Sequence, residues 1–315
     1  MTVSSFKTGY DGVSFLAGNA FFDPESLIRG LFAGGITGPY VDTIDYIVIA
    51  TTGNATDFGD LTVARSNIGG CASSTRGLFG GGETGSVSNV IDYVTIASTG
   101  NAIDFGDLTV TRGYLASFSS STRGIWAGGY TGANSDVIDY VTITTTGNAT
   151  DFGDLTESRR RMAGCASPTR GIAGGGFTSA AVNTIDYVTI ASTGNATDFG
   201  DLSVTRSDSA SCSSSTRGIF AGGDTGASSN VIDYVTIATT GNATDFGDLS
   251  VTRGFLAGCS SSTRGVFGGG YPGSPSNVID YILIATTGNA TDFGDLTAGT
   301  FRNAALSNGH GGLAA

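Results

Sequence analysis

The chain has 315 residues, 51 of them Gly and only 5 Pro, yet 39% are hydrophobic and the mean hydropathy is slightly positive; it has the means to bury a large core and is too apolar for a disordered glycine-rich linker. A net charge of −12 with one lysine, Lys7, excludes nucleic acid and anionic membrane surfaces as expected partners. No run of about 18 apolar residues occurs, so membrane insertion by a helix is not expected either.

In chain order, residues 1–28 come first. The opening MTVSSFKTGYDGVSF has no long apolar stretch and does not read as a secretory signal. This segment is expected to be an anchoring arm. From Arg29-Gly30 onward the sequence repeats. Ile-Asp-Tyr recurs with its tyrosine at Tyr46, Tyr93, Tyr140, Tyr187, Tyr234 and Tyr281, always 47 residues apart and without a gap. Each unit predicts four strands. They are typified by the small-residue run FLAGCSS (255–261), RGIWAGG (123–129), VIDYVTIT (137–144) and ATDFGDLT (149–156). Turn signals separate them: SST, then TG with Ser or Asn, then TTGN. β-Branched and aromatic residues fill the apolar runs, and no segment carries the 3.6 period of helical repeats. Four short strands at this period predict an all-β fold, a six-bladed β-propeller with four antiparallel strands per blade, spanning 29–315.

Because the repeats begin in the second strand, a strand from elsewhere must complete the first blade. Two segments are suited to this: a C-terminal strand around 301–308, and SFLAG (14–18), which matches FLAG (255–258). The C-terminal choice keeps the 47-residue register and is favoured. Gly312-Leu313 then aligns with Gly77-Leu78 of a further copy.

The order apolar–Gly-Gly (as at Gly128-Gly129), a strand-three tyrosine, a strand-four aromatic and then Arg resembles the kelch repeat. Kelch repeats carry Trp where this chain has Phe58, Phe105, Phe152, Phe199, Phe246 and Phe293, so the repeats are kelch-like and depart from the standard pattern. The resemblance implies four-stranded blades around an axis. A BTB-type region is not seen, and a ubiquitin-ligase adaptor role is not expected. The near-identical copies of TTGNATDFGDL and the opening YDGVSFLAGNAFFDPES also resemble repeat-bearing virion structural and tail proteins of marine bacteriophages.

Several motifs read as architecture. Asp-Phe-Gly at 57–59, repeated sixfold, lacks the lysine and catalytic loop of a kinase and predicts a turn. Asn-Ala-Thr at Asn54, Asn148, Asn195, Asn242 and Asn289 matches a glycosylation acceptor, but its place after Gly predicts turn chemistry. Cys71, Cys165, Cys212 and Cys259 share a repeat position with Phe118 and Leu306, which predicts buried free thiols and no disulfide. His310 stands alone in a Gly-rich tail, so no metal or cofactor is expected. The Ile-Asp-Tyr aspartate lies in an apolar strand and needs a cationic partner, an arginine from either the Arg65 or the Arg76 series, with calcium as the lesser alternative.

Differences between copies concentrate in the loops after strands two and four, which alternation of strand direction places on one face. The residue after each Gly pair is Ile36, Glu83, Tyr130, Phe177, Asp224 or Tyr271. The loop after strand four carries Asn67, Tyr114, Arg161, Asp208, Phe255 or Arg302. The rim bearing Tyr114, Tyr130, Arg161, Phe177, Phe255 and Tyr271 is the candidate binding surface; neutral drift in loops is the competing explanation. The expected function is a non-enzymatic virion structural or adhesion protein, tail- or capsid-associated. Its expected partners are other virion proteins or a host-surface receptor or glycan, and homo-oligomers are compatible with it. A lectin-like propeller on an extracellular or cell surface is the alternative.

Overall fold

The computed structural model describes residues 24–313. The chain forms six four-stranded antiparallel sheets arranged in a ring, a six-bladed β-propeller. The second repeat shows the pattern, running outward from the axis as Gly69–Ala72, Arg76–Gly80, Val90–Thr95 and Ile103–Asp107. The six innermost strands touch one another in a closed circle. In the first blade the innermost strand is Ala304–Ser307, which pairs antiparallel with Arg29–Ala33 from Gly30↔Ser307 to Ala33↔Ala304. The N-terminal segment 14–18 lies outside the described residues. Pro24–Leu27 forms a 3₁₀ turn, and its neighbour Ile28 packs on the first blade. The Glu25 carboxylate accepts from Ser262 Oγ at 2.7 Å.

Crowding at the axis dictates the small-residue strand. A Cβ on Gly70 would stand 2.7 Å from the Ala305 carbonyl oxygen, and one on Gly258 2.5 Å from that of Ser211. The cysteine position serves the contact between blades. Cys71 Sγ packs where a Cβ on Gly124 would be, Phe118 does the same to Gly171, and Leu306 to Gly77. The glycine of each Arg-Gly pair is thus required by the neighbouring blade's side chain. All four cysteines are buried and free. Burial disfavours the thiolate and pushes the Cys165 thiol up to about 12.

Apolar clusters lie between blades rather than within them. One of them joins Leu31, Ile44, Phe58 and Leu61 of the first blade to Phe79, Val94 and Ile96 of the second. Asp-Phe-Gly lies inside the outermost strand, Thr56–Asp60 in the first blade, and not in the turn expected of it, because its ring belongs to this packing: Phe58 meets Tyr46 edge-on with centroids 6.1 Å apart. Gly59, at φ 148°, lets the backbone of Gly100 approach to where its own Cβ would stand. That approach covers the outermost strand, an edge otherwise open to other chains. Gly100 N donates to Phe58 O, Ala102 N to Asp60 O, and Asp60 N to Asn101 Oδ1. The other five junctions repeat the asparagine bond, including Asp295 N to Asn54 Oδ1. The asparagines of the Asn-Ala-Thr motif therefore tie neighbouring blades together.

The two arginine series divide the work that spacing alone left open. Arg76 and its copies stack over the tyrosine of their own blade, 4.3–4.9 Å from the ring centroid. The Arg65 series reaches into the next blade. Arg65, Arg112, Arg159, Arg206 and Arg253 pair with Asp92, Asp139, Asp186, Asp233 and Asp280 at 2.8–3.1 Å, with side chains essentially sealed from solvent. The aspartates also accept from a Thr or Ser hydroxyl, as Asp92 does from Thr62 at 2.6 Å. The sixth junction breaks the rule. The 47-residue register puts Thr300 where the arginine would stand, and among the described residues no arginine pairs with Asp45, contrary to the expectation of an ion pair at every copy.

Candidate binding face

The variable loops come together as alternation of strand direction requires. Gly113 bridges Tyr130, Arg160 bridges Phe177, and Gly254 bridges Tyr271. Nearer the axis, Asn67, Tyr114, Arg161, Asp208, Phe255 and Arg302 form a closed circle. The amide of each donates to the carbonyl of its counterpart one blade earlier, at 2.7–3.0 Å, and Asn67 N closes the circle on Arg302 O. All six hold left-handed backbone with φ between 54 and 61°. Only Asn67 and Asp208 are of residue types that enter this region readily.

This circle marks one end of a narrow axial cavity of about 160 Å³, lined by the innermost strands. The other end is crossed by the C-terminal tail. Gly311 N donates to Ser213 O at 2.9 Å, and His310 Nε2 lies 2.8 Å from Ala72 O. Gly312 N donates to His310 Nδ1, so Nε2 carries the proton and the ring is neutral; burial lowers its pKa to match. The tail therefore crosses the axis instead of continuing as Gly77-Leu78 does, because Arg29–Ala33 already occupies the second-strand place.

Each predicted rim residue is on this face, and the six form one linked patch. Tyr114 and Tyr130 meet edge-on at 6.4 Å, and Tyr114 Oη donates to Glu83 Oε2 at 2.7 Å. Arg161 lies over Tyr114 and Phe177, Arg160 over Tyr130 and Phe177, and Arg302 over Phe255 and Tyr114. Tyr271 and Phe255 both contact Phe301. The aromatics are half-buried against one another and against guanidinium planes. Phe301 and Arg160 are contacts that the sequence reading does not name, although each immediately precedes a named loop residue, Arg302 and Arg161.

The patch has unusual electrostatics. Burial raises the Asp208 carboxyl to about 6 even though Arg161 lies 3.5 Å away and pulls the other way. Tyr114 is pushed up to about 12, by burial first and then by its bond to Glu83. Among the described residues no three of His, Cys, Asp and Glu converge as metal ligands would. No protein-family model matches the sequence, and no curated protein matches it either.

Proposed function

We propose that this protein is a non-enzymatic binding propeller of a phage virion, tail- or capsid-associated, and that the variable face holds its partner. One observation carries the reading. The axial circle has a backbone that glycine would adopt without strain, and the chain uses glycine freely at positive φ elsewhere. Yet it places Tyr, Phe and two Arg there, each at a cost of about 1–2 kcal/mol. Side chains kept against that cost, and differing from blade to blade, are suited to one asymmetric partner. Buried-edge aromatics and guanidinium groups are also the residue types that anchor protein interfaces.

The same patch offers aromatic faces beside Glu83, Asp208 and arginine donors, which favours a sugar-bearing receptor as the alternative ligand. Proteomics of purified particles, with gold-labelled antibody against the propeller, tests the virion assignment. The protein is expected on intact particles; its confinement to the infected-cell lysate would end that assignment. A glycan array with purified protein separates the two partners. Saturable binding to a defined glycan, lost in Tyr114→Ser, favours the lectin, and a blank array favours a protein partner.

A further inference from the structure

The junction between the sixth and first blades contains an anionic cavity whose shape is known from five filled copies of itself. At each of the other five junctions a buried arginine spans the gap. Arg65 Nη2 donates to Asp92 Oδ2 and to Phe79 O, and Nη1 donates to Val90 O. Arg206 repeats this on Asp233, Phe220 O and Val231 O, and adds Gly222 O. The 47-residue register maps these acceptors onto Asp45, Phe32 O, Thr43 O and Gly34 O. In place of the arginine stands Thr300.

What remains is a cavity of about 220 Å³ lined by Phe32, Gly34, Thr43, Asp45, Thr300 and Asn303, among others. A cavity of roughly 150 Å³ is enough to hold a benzene ring. Asp45 is 6% exposed, and among the described residues its carboxylate accepts hydrogen bonds from Thr297 N and Oγ1 alone, at 2.8–3.0 Å. Among the described residues no cationic group pairs with it, and burial raises its pKa. Thr300 Oγ1 and both amide atoms of Asn303 are buried without hydrogen-bond partners. Unpaired groups of this kind are costly, and so is a lone buried carboxylate. The counterparts of Asn303 are Ile68, Leu115, Met162, Ser209 and Leu256, so four of the five intact junctions put an apolar side chain where this one puts an amide.

We infer that this junction is a binding site for a guanidinium group supplied from outside the described chain, as a small guanidine or as the arginine side chain of a partner. The guanidinium would take the position its five internal counterparts hold, paired with Asp45 and donating to the Phe32 and Thr43 carbonyls. Asn303 and Thr300 supply polar contacts that a permanent arginine would not need. The inference is independent of the virion assignment.

The test is a melting-temperature titration of the full-length protein with methylguanidine, agmatine and the tripeptide Gly-Arg-Gly, with methylammonium as the non-planar control. Guanidines at millimolar concentration are expected to raise the melting temperature saturably by a few degrees, and methylammonium less. Thr300→Arg, which restores the missing side chain, is expected to melt higher than the parent and to lose the response. Asp45→Asn is expected to lose the response as well, and it covers the case in which Thr300→Arg fails to fold. A response to the tripeptide identifies an arginine side chain as the natural occupant; a response to the small guanidines alone identifies a free metabolite. No saturable response to any guanidine, or an undiminished one in Asp45→Asn, overturns the inference.

Discussion

At the residue scale the structure turns on a few buried charges. Arg112 illustrates the intact junctions: it pairs with Asp139 at 2.8 Å and has no exposed surface. Removing one member of such a pair leaves the other buried and uncompensated, at a cost of about 3–5 kcal/mol. Arg112→Thr, which copies the natural gap at Thr300, is expected to lower unfolding free energy in urea by that amount. A loss under 1 kcal/mol would show that these pairs are dispensable. Asp208 behaves differently, because its folded pKa of about 6 lies above the unfolded value near 3.9. The folded state therefore binds the proton more tightly, and the cost of ionising Asp208 appears as pH rises from about 4 to 6. Relative to Asp208→Asn, the parent is expected to lose stability across that window by about 3 kcal/mol and to change no further above it. Parallel pH profiles for the two proteins would contradict the raised pKa.

At the scale of the element, each strand's character follows from its distance from the axis. Innermost strands are built of Gly, Ala, Ser and Cys, with Phe118 and Leu306 as the large exceptions, because six of them converge. Outermost strands avoid an open edge because the next blade's TTGN loop pairs with them. The strand Ala304–Ser307 has a further task, since it joins the two ends of the described chain through Arg29–Ala33. Its Leu306 fills the space against Gly77 in the second blade, and its Ser307 Oγ donates to Ser260 O. A chain ending after Asn303 is expected to lose cooperative unfolding and most amide protection in the first blade. A chain ending after Ser307 lacks only the axial tail and is expected to melt cooperatively, a few degrees lower. Equal melting of the two truncations would show that the ring does not depend on this closure.

At the scale of the whole molecule, the period, the blade number and the four strands per blade were legible because six ungapped copies repeat every turn signal. The cysteine position was legible too, since Phe118 and Leu306 share it. The arginine assignment was not. Arg65 and Arg76 recur with the same period, and periodicity does not say whether a partner lies in the same blade or the next. The circle of left-handed residues was also hidden: its hydrogen bonds run between copies and exist only once the ring has closed. Nor did local sequence show that rim rings lean on neighbouring guanidinium planes, because those contacts join different blades. The rim positions themselves were found by the one signal that repeats supply, which is where they differ. The central claim is that function resides on that differing face. It is tested most directly by comparing particles bearing Tyr130→Ser and Tyr271→Ser with particles bearing Thr146→Ala and Thr240→Ala, exposed threonines of the opposite face. Both propellers are expected to fold, as half-buried and exposed loop changes of this kind cost little beyond lost packing. The rim pair is expected to reduce assembly or host adsorption at least tenfold and the opposite-face pair to leave both unchanged; loss confined to the opposite-face pair, or normal attachment by the rim pair, would contradict the account.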